Sequence, residues 1–179
     1  MAPMVRRSLT IELALLGYLR PGPLHGYQIY QQLGDPAGLK PVWYLKQAQL
    51  YALLAKLEEA GFIRGSIQQQ EARPARRVFR LTETGQEAFQ NWLFSPVQKP
   101  RQMRQEFQVK QYFARREGRE AYERLIAMQR QTCQEWQASQ EAISDQVSPG
   151  STYFWLVEQF RIRQIQAMLD WLDLCQETL

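Results

Sequence analysis

The sequence predicts a mainly α-helical protein carrying one small β-hairpin. Three observations lead there. Apolar residues recur at three- and four-residue spacing through most of the chain. Two strand-like runs, Phe62–Ile67 and Arg76–Leu81, flank a polar stretch around position 70. Clusters such as Pro21-Gly22-Pro23, Gly34-Asp35-Pro36 and Ser148-Pro149-Gly150 cut the rest into segments of helical length.

The first helix is expected from Leu9 to about Leu19. Ile11, Leu13, Leu15, Leu16 and Leu19 make it apolar around most of its circumference, so it belongs inside. Pro21 ends it. A shorter helix follows from about His25 to Leu33, with Ile29 and Leu33 on one face. The third, about 45–60, is the clearest: Leu50, Leu53, Leu54 and Leu57 form a single core-facing stripe, and Gly61 stops it. Its other face reads Ala48, Gln49, Ala52, Ala55, Lys56 and Glu59. Small side chains there suit a helix that enters a groove.

The strand-like runs form a hairpin whose intervening loop, Gln68 to Ala75, is too long for a tight turn. It carries Arg64, Arg73, Arg76, Arg77 and Arg80 against Glu71 alone. Thr82 opens a fourth helix with Glu83 in its first turn; Thr84 with Glu87 is an alternative capping box. Phe89, Trp92 and Leu93 are its apolar face. Ser95-Pro96 and Pro100 mark a boundary, giving expected domains of 1–96 and 97–179.

The second half reads as helices of about 101–116, 119–146 and 151–177. Tyr122, Ile126, Gln129, Cys133 and Trp136 form a packing seam in the middle one. The last has two greasy faces: Tyr153, Val157, Phe160, Met168 and Trp171 on one, Ile162, Ile165, Leu169 and Leu172 on the other. Two faces need two partners, and a second subunit is the simplest second one.

Composition limits the function classes. The 179 residues are 45% hydrophobic and 22% charged, as in an ordinary globular protein. No apolar run approaches the roughly 20 residues that cross a bilayer. Arg6-Arg7 is followed by a stretch that Glu12 interrupts, so no secretory leader is expected, and the chain reads as cytosolic. Cys133 and Cys175 are expected to be buried free thiols. One histidine, no metal-ligand spacing, no phosphate loop and no nucleophile motif leave neither catalytic residue, metal nor cofactor to expect. Charge is more informative. Residues 1–100 hold 12 Lys and Arg against 7 Asp and Glu, residues 101–179 hold 10 against 11, so the excess lies in the first half. That half suits a polyanion.

Helix, helix, helix, hairpin, helix, with arginines on the hairpin, is the order of a winged helix-turn-helix. The architecture expected is therefore an N-terminal winged helix with a C-terminal α-helical dimerisation domain. The major groove of B-DNA is about 12 Å wide and admits one helix at close approach. Gln49 offers a paired donor and acceptor to a base edge, and the alanines clear space. Lys46, Gln47 and Tyr51 lie near the helix start, within reach of phosphates, with Lys56 on the same exposed face. Arg73, Arg76 and Arg77 are the wing candidates for the flanking backbone or minor groove. Arg77 and Arg80 have an alternative partner in carboxylates, Tyr51 in ordinary packing. The competing function is a winged-helix adaptor binding proteins through its C-terminal helices.

Several segments resemble the PadR family of transcriptional regulators: Leu15-Leu16-Gly17-Tyr18-Leu19, Gly22-Pro23-Leu24-His25-Gly26-Tyr27-Gln28-Ile29, Gln49-Leu50-Tyr51-Ala52-Leu53-Leu54 and Arg76-Arg77-Val78-Phe79-Arg80-Leu81-Thr82-Glu83-Thr84-Gly85. The longer C-terminal half is similar to the subfamily whose helices embrace a partner subunit. The resemblance implies a bacterial, cytoplasmic and nucleoid-associated homodimer, a repressor or activator on a roughly palindromic operator, with the third helix as reader. Lys46 stands where many relatives have a small hydroxyl residue, so the first contacts differ. The resemblance also implies an aromatic small-molecule effector, for which Trp136 and Trp155 are the stacking candidates against ordinary core packing. His25, in its family-like setting, is expected to be structural.

Overall fold

The computed structural model describes residues 10–70, 73–146 and 152–178; the side chains at 69, 70 and 73–75 lie outside that description. A 3₁₀ turn, Ile11–Leu13, leads into α1 (Ala14–Tyr18), all of whose residues are buried. The helix is shorter than the apolar pattern predicts because its first turn is 3₁₀ and the chain leaves at Leu19 towards Pro21. Residues Leu24–His25 form a short strand, β1, before α2 (Gly26–Leu33), which buries Ile29 and Leu33.

Helix α3 (Gln47–Glu59) turns Leu50, Leu54 and Leu57 fully inward. It starts later than expected because Lys46, at φ −69° and ψ 150°, is extended and stands as its N-cap. The other end closes in a Schellman motif: Phe62 N–H donates to Leu57 O at 2.9 Å and Gly61 N–H to Glu58 O at 2.9 Å. Gly61 supplies the positive φ of 77° that the motif needs.

The hairpin corrects the sequence reading. Strands β2 (Ile63–Gln70) and β3 (Arg73–Leu81) extend through most of the segment expected as loop, in antiparallel register from Ile63 opposite Leu81 to Gln70 opposite Arg73. The ladder joins backbone groups, so exposed polar residues such as Ser66, Gln68 and Arg76 extend it without apolar alternation. Strand β1 adds to the other edge of β3, with Leu24 opposite Phe79, giving the order β1-β3-β2.

Thr82 caps α4 (Glu83–Leu93) as expected: its Oγ1 accepts Gly85 N–H at 3.0 Å. Thr84 turns instead to Gly61 O at 3.1 Å, so the alternative box is not formed. Beyond a 3₁₀ turn at Pro100–Arg104 come α5 (Glu106–Glu117), α6 (Arg119–Ser144) and α7 (Thr152–Glu177).

The chain forms two compact units, one ending at Leu93 and taking in Gln108–Phe113, the other made of Phe94–Phe107 and the chain from Ala114 onward. In the first, Phe113 meets Tyr18 and Phe89 edge-on at centroid distances of 5.2 and 5.7 Å. Lys110 is buried, its ammonium 5.1 Å from the Trp92 ring centroid.

In the second unit α6 packs against α7, and the seam predicted on α6 buries Tyr122, Ile126, Gln129 and Cys133. A glutamine is tolerated there because its amide is satisfied: Oε1 accepts Val97 N–H at 2.8 Å and Nε2 donates to Val97 O at 3.3 Å. Arg130 pairs with Asp173, Gln140 with Glu158, and Gln137 with Gln166 across the helices. Both cysteines are buried thiols outside any disulfide, and burial pushes the Cys133 thiol above its ordinary range.

Candidate nucleic-acid interface

The site is built on α3. Its inner stripe of leucines leaves the opposite face outward, and Gln47, Ala48, Gln49, Ala52, Ala55, Lys56 and Glu59 are all exposed. A Lys at the N-cap has no acceptor for the free amides of the first turn. The helix uses Gln49 instead: its Oε1 accepts the Lys46 backbone N–H at 2.9 Å. The same device recurs at α2, where Gln28 Oε1 accepts His25 N–H at 2.8 Å. Thus the oxygen of Gln49 serves its own helix and the amide NH₂ is what it can present outward. Two-point adenine recognition requires that oxygen to be released.

Tyr51, 42% exposed, packs at the junction of α2 and α3. A Cβ placed on Gly26 would lie 2.7 Å from Tyr51 Cε1, so the ring occupies the space a side chain would need. Just before α3, Tyr27, Tyr30, Asp35, Lys40, Tyr44 and Leu45 line an open groove of about 730 Å³. The Tyr30 phenol is pushed above its ordinary range, first by its hydrogen bond to Tyr44 and then by the charge of that group. Tyr27 and Tyr44 are exposed at the surface, and sequence reasoning passed over both. Tyr44 lies in an irregular segment with no periodic signal that tells surface from core, and Tyr27 stands in the first turn of a helix too short for its pattern to do so.

The pleat sorts the arginines of the hairpin. Residues opposite one another share a face and successive residues alternate. Arg64 opposite Arg80 and Gln68 opposite Arg76 therefore put Arg64, Arg76 and Arg80 on one face. All three are exposed. Arg77 points to the other, with buried Phe79, and its guanidinium carbon lies 5.4 Å from that ring's centroid. There Arg77 Nη2 meets Glu58 Oε2 of α3 at 2.5 Å, the carboxylate partner weighed from sequence. Glu58 Oε1 accepts Gly65 N–H at 2.8 Å. Arg76 and Arg77 are neighbours in sequence with opposite surroundings. The side chain of Arg73 lies outside the described residues.

The residues expected to pair two subunits divide as well. Ile165, Leu169 and Leu172 are buried within their own unit, and Trp171 packs edge-on against Phe107 at 5.9 Å, so a single chain already covers them. Val157 and Met168 are half-buried. Tyr153 at 81% and Phe160 at 65% exposure stay open, joined by Phe154, Trp155 and Leu156. Of the two tryptophans proposed for an effector, Trp136 on α6 is half-buried and Trp155 on α7 is exposed. Among the described residues no group of His, Cys, Asp and Glu could hold a metal, and no helix is long and apolar enough to cross a membrane.

Three helices followed by a hairpin with a basic outer face make up a winged helix-turn-helix. Residues 15–91 match the model of the transcriptional regulator PadR-like family, and residues 103–179 that of the virulence activator alpha C-terminal region. Residues 15–91 thus carry a PadR-like family domain, and the helical C-terminal region fits the longer subfamily; that family is one of transcriptional regulators rather than enzymes. The negative transcriptional regulator PadR of Bacillus subtilis is 28% identical over 145 residues, 79% of each chain. Among solved structures, Bacillus subtilis PadR in complex with operator DNA aligns over 94% of this chain and 97% of its own, at 23% identity and a TM-score of 0.47. A structure from Streptococcus mutans, at 28% identity and a TM-score of 0.38, covers 45% of this chain and 70% of its own.

Proposed function

We propose that this regulator is a homodimeric repressor that binds a palindromic DNA operator, with α3 in the major groove and the wing along the flanking backbone or minor groove. The observation that carries this reading is the outer face of α3, where three alanines, Gln47, Gln49 and Lys56 stand exposed opposite the fully buried Leu50, Leu54 and Leu57. A helix so surfaced approaches base edges closely. Lys46, Gln47 and Tyr51, with the phenols of Tyr27 and Tyr44, are assigned to phosphates near the helix start. On the wing the contacts are Arg76, Arg64 and Arg80, with Arg73 towards the tip. Arg64 and Arg80 face each other directly in the ladder, an unfavourable pairing that a polyanion relieves. Gln49 reads a base through its amide NH₂. Repression follows the name of the Bacillus subtilis relative.

Dimerisation is assigned to the first turns of α7. Tyr153, Phe154, Trp155, Leu156 and Phe160 are 45% to 81% exposed, and an apolar cluster of that kind marks an interaction surface. A two-fold dimer presents two reading helices to two half-sites one helical turn apart.

The test is affinity for a duplex selected from a randomised pool, measured by fluorescence anisotropy across a salt series. Specific binding in the nanomolar range that weakens steeply with salt is expected. Arg76→Ala should weaken binding to all sequences and make the salt slope shallower by about one. No selection of any duplex above background would end the reading.

A further inference from the structure

We infer that Glu58 is a positioning residue for DNA recognition, and that Arg77 serves the protein rather than the duplex. The inference rests on the DNA-binding reading above and deepens it. Glu58 sits in the last turn of α3 and uses both carboxylate oxygens on the hairpin: one holds Gly65 N–H of β2 at 2.8 Å, the other the Arg77 guanidinium of β3 at 2.5 Å. Arg77 is in turn laid over Phe79, which is buried in the core. One carboxylate thus ties the reading helix to both strands of the wing.

Gly65 makes the geometry possible. A Cβ there would lie 2.5 Å from Arg77 Nε and 2.8 Å from Glu58 Oε1, inside the clamp itself. The side chains of Glu58 and Arg77 are 27% and 56% exposed, and ion pairs so placed contribute little to stability. What the clamp sets is the angle at which the wing leaves the helix. A small misplacement would leave the wing arginines close enough to neutralise the same phosphates but out of hydrogen-bonding alignment with them, while α3 still fitted its groove.

The sign of one substitution separates this role from direct contact. Glu58→Gln removes a negative charge near the duplex, which on electrostatics alone tightens binding. If Glu58 positions the wing, the same change weakens it. The experiment measures affinity and salt slope on the selected duplex for the unsubstituted protein, Glu58→Gln, Arg77→Ala and Gly65→Ala, with melting temperature alongside. Each variant is expected to bind about tenfold more weakly, the loss typical of a hydrogen bond to a charged group. The salt slope should stay unchanged and melting should shift by only a few degrees. Gly65→Ala matters most, because it breaks the clamp with no change of charge, and it carries the test should Arg77→Ala fail to fold.

Tighter binding by Glu58→Gln, a slope lowered by about one in Arg77→Ala, or unaltered affinity in Gly65→Ala would each overturn the inference. Those outcomes presuppose that the unsubstituted protein binds. If it binds no duplex, the DNA reading fails first and the inference with it.

Discussion

The ring of Tyr51 lies against Gly26, so close that a methyl group on the glycine would sit 2.7 Å from Cε1 and 3.1 Å from the phenol oxygen. This contact joins the two most distinctive segments of the chain, Leu24-His25-Gly26-Tyr27 and Leu50-Tyr51-Ala52-Leu53-Leu54. It lies where α2 packs against α3.

Gly26→Ala therefore displaces the Tyr51 ring. Because that ring is 42% exposed, it can swing outward, and Gly26 has no positive φ for alanine to strain. Stability should change by about 1 kcal/mol or less while affinity for the selected duplex falls. Thermal melting and anisotropy titrations on one preparation would check both. An unfolded variant, or one binding like the unsubstituted protein, would contradict this account of the contact.

Lys46→Ser should move stability and binding in opposite directions. Serine at the N-cap gives the first turn a side-chain acceptor that lysine lacks, a gain of about 1 kcal/mol. Losing the ammonium removes a phosphate contact, so the salt slope should become shallower by about 0.9. A higher melting temperature with weaker low-salt binding is the expected pair of readings.

Thr82→Val tests the joint between wing and α4. Oγ1 lies 2.7 Å from Gly61 O and 2.9 Å from Phe62 O, and it accepts Gly85 N–H. Valine keeps the shape and loses every one of these bonds. A loss of about 1–2 kcal/mol in urea unfolding is expected, as for other helix caps.

On α7, two substitutions should separate association from folding. Phe160→Glu charges a ring that is 65% exposed, and it should shift the solution mass towards one subunit with the monomer still folded. Leu172→Ala hollows a fully buried site and should cost about 2–5 kcal/mol of stability at any protein concentration. Analytical ultracentrifugation and denaturant melts read the two effects.

Much of this was legible along the chain. The leucine stripe of α3, the cap at Thr82, the seam on α6 and the buried cysteines follow from spacing and residue type. The misreadings have common causes. Polar residues hid the length of β2 and β3, since ladder bonds need no particular side chain. A two-residue strand such as β1 is too short for any periodic signal.

By itself, then, the sequence determined which faces are apolar, because periodicity is a local property and burial follows it. Only the tertiary structure decided which partner each face and each charge meets. Arg76 and Arg77 read as one basic pair until the pleat turns them apart and brings Glu58, nineteen residues away, to the second. Likewise Ile165, Leu169 and Leu172 look as available to a partner as Phe160 until α6 covers them from within the same chain. The physical reason is the same in both cases. Contacts between residues distant in sequence are fixed by how elements pack, and local pattern carries no record of that packing.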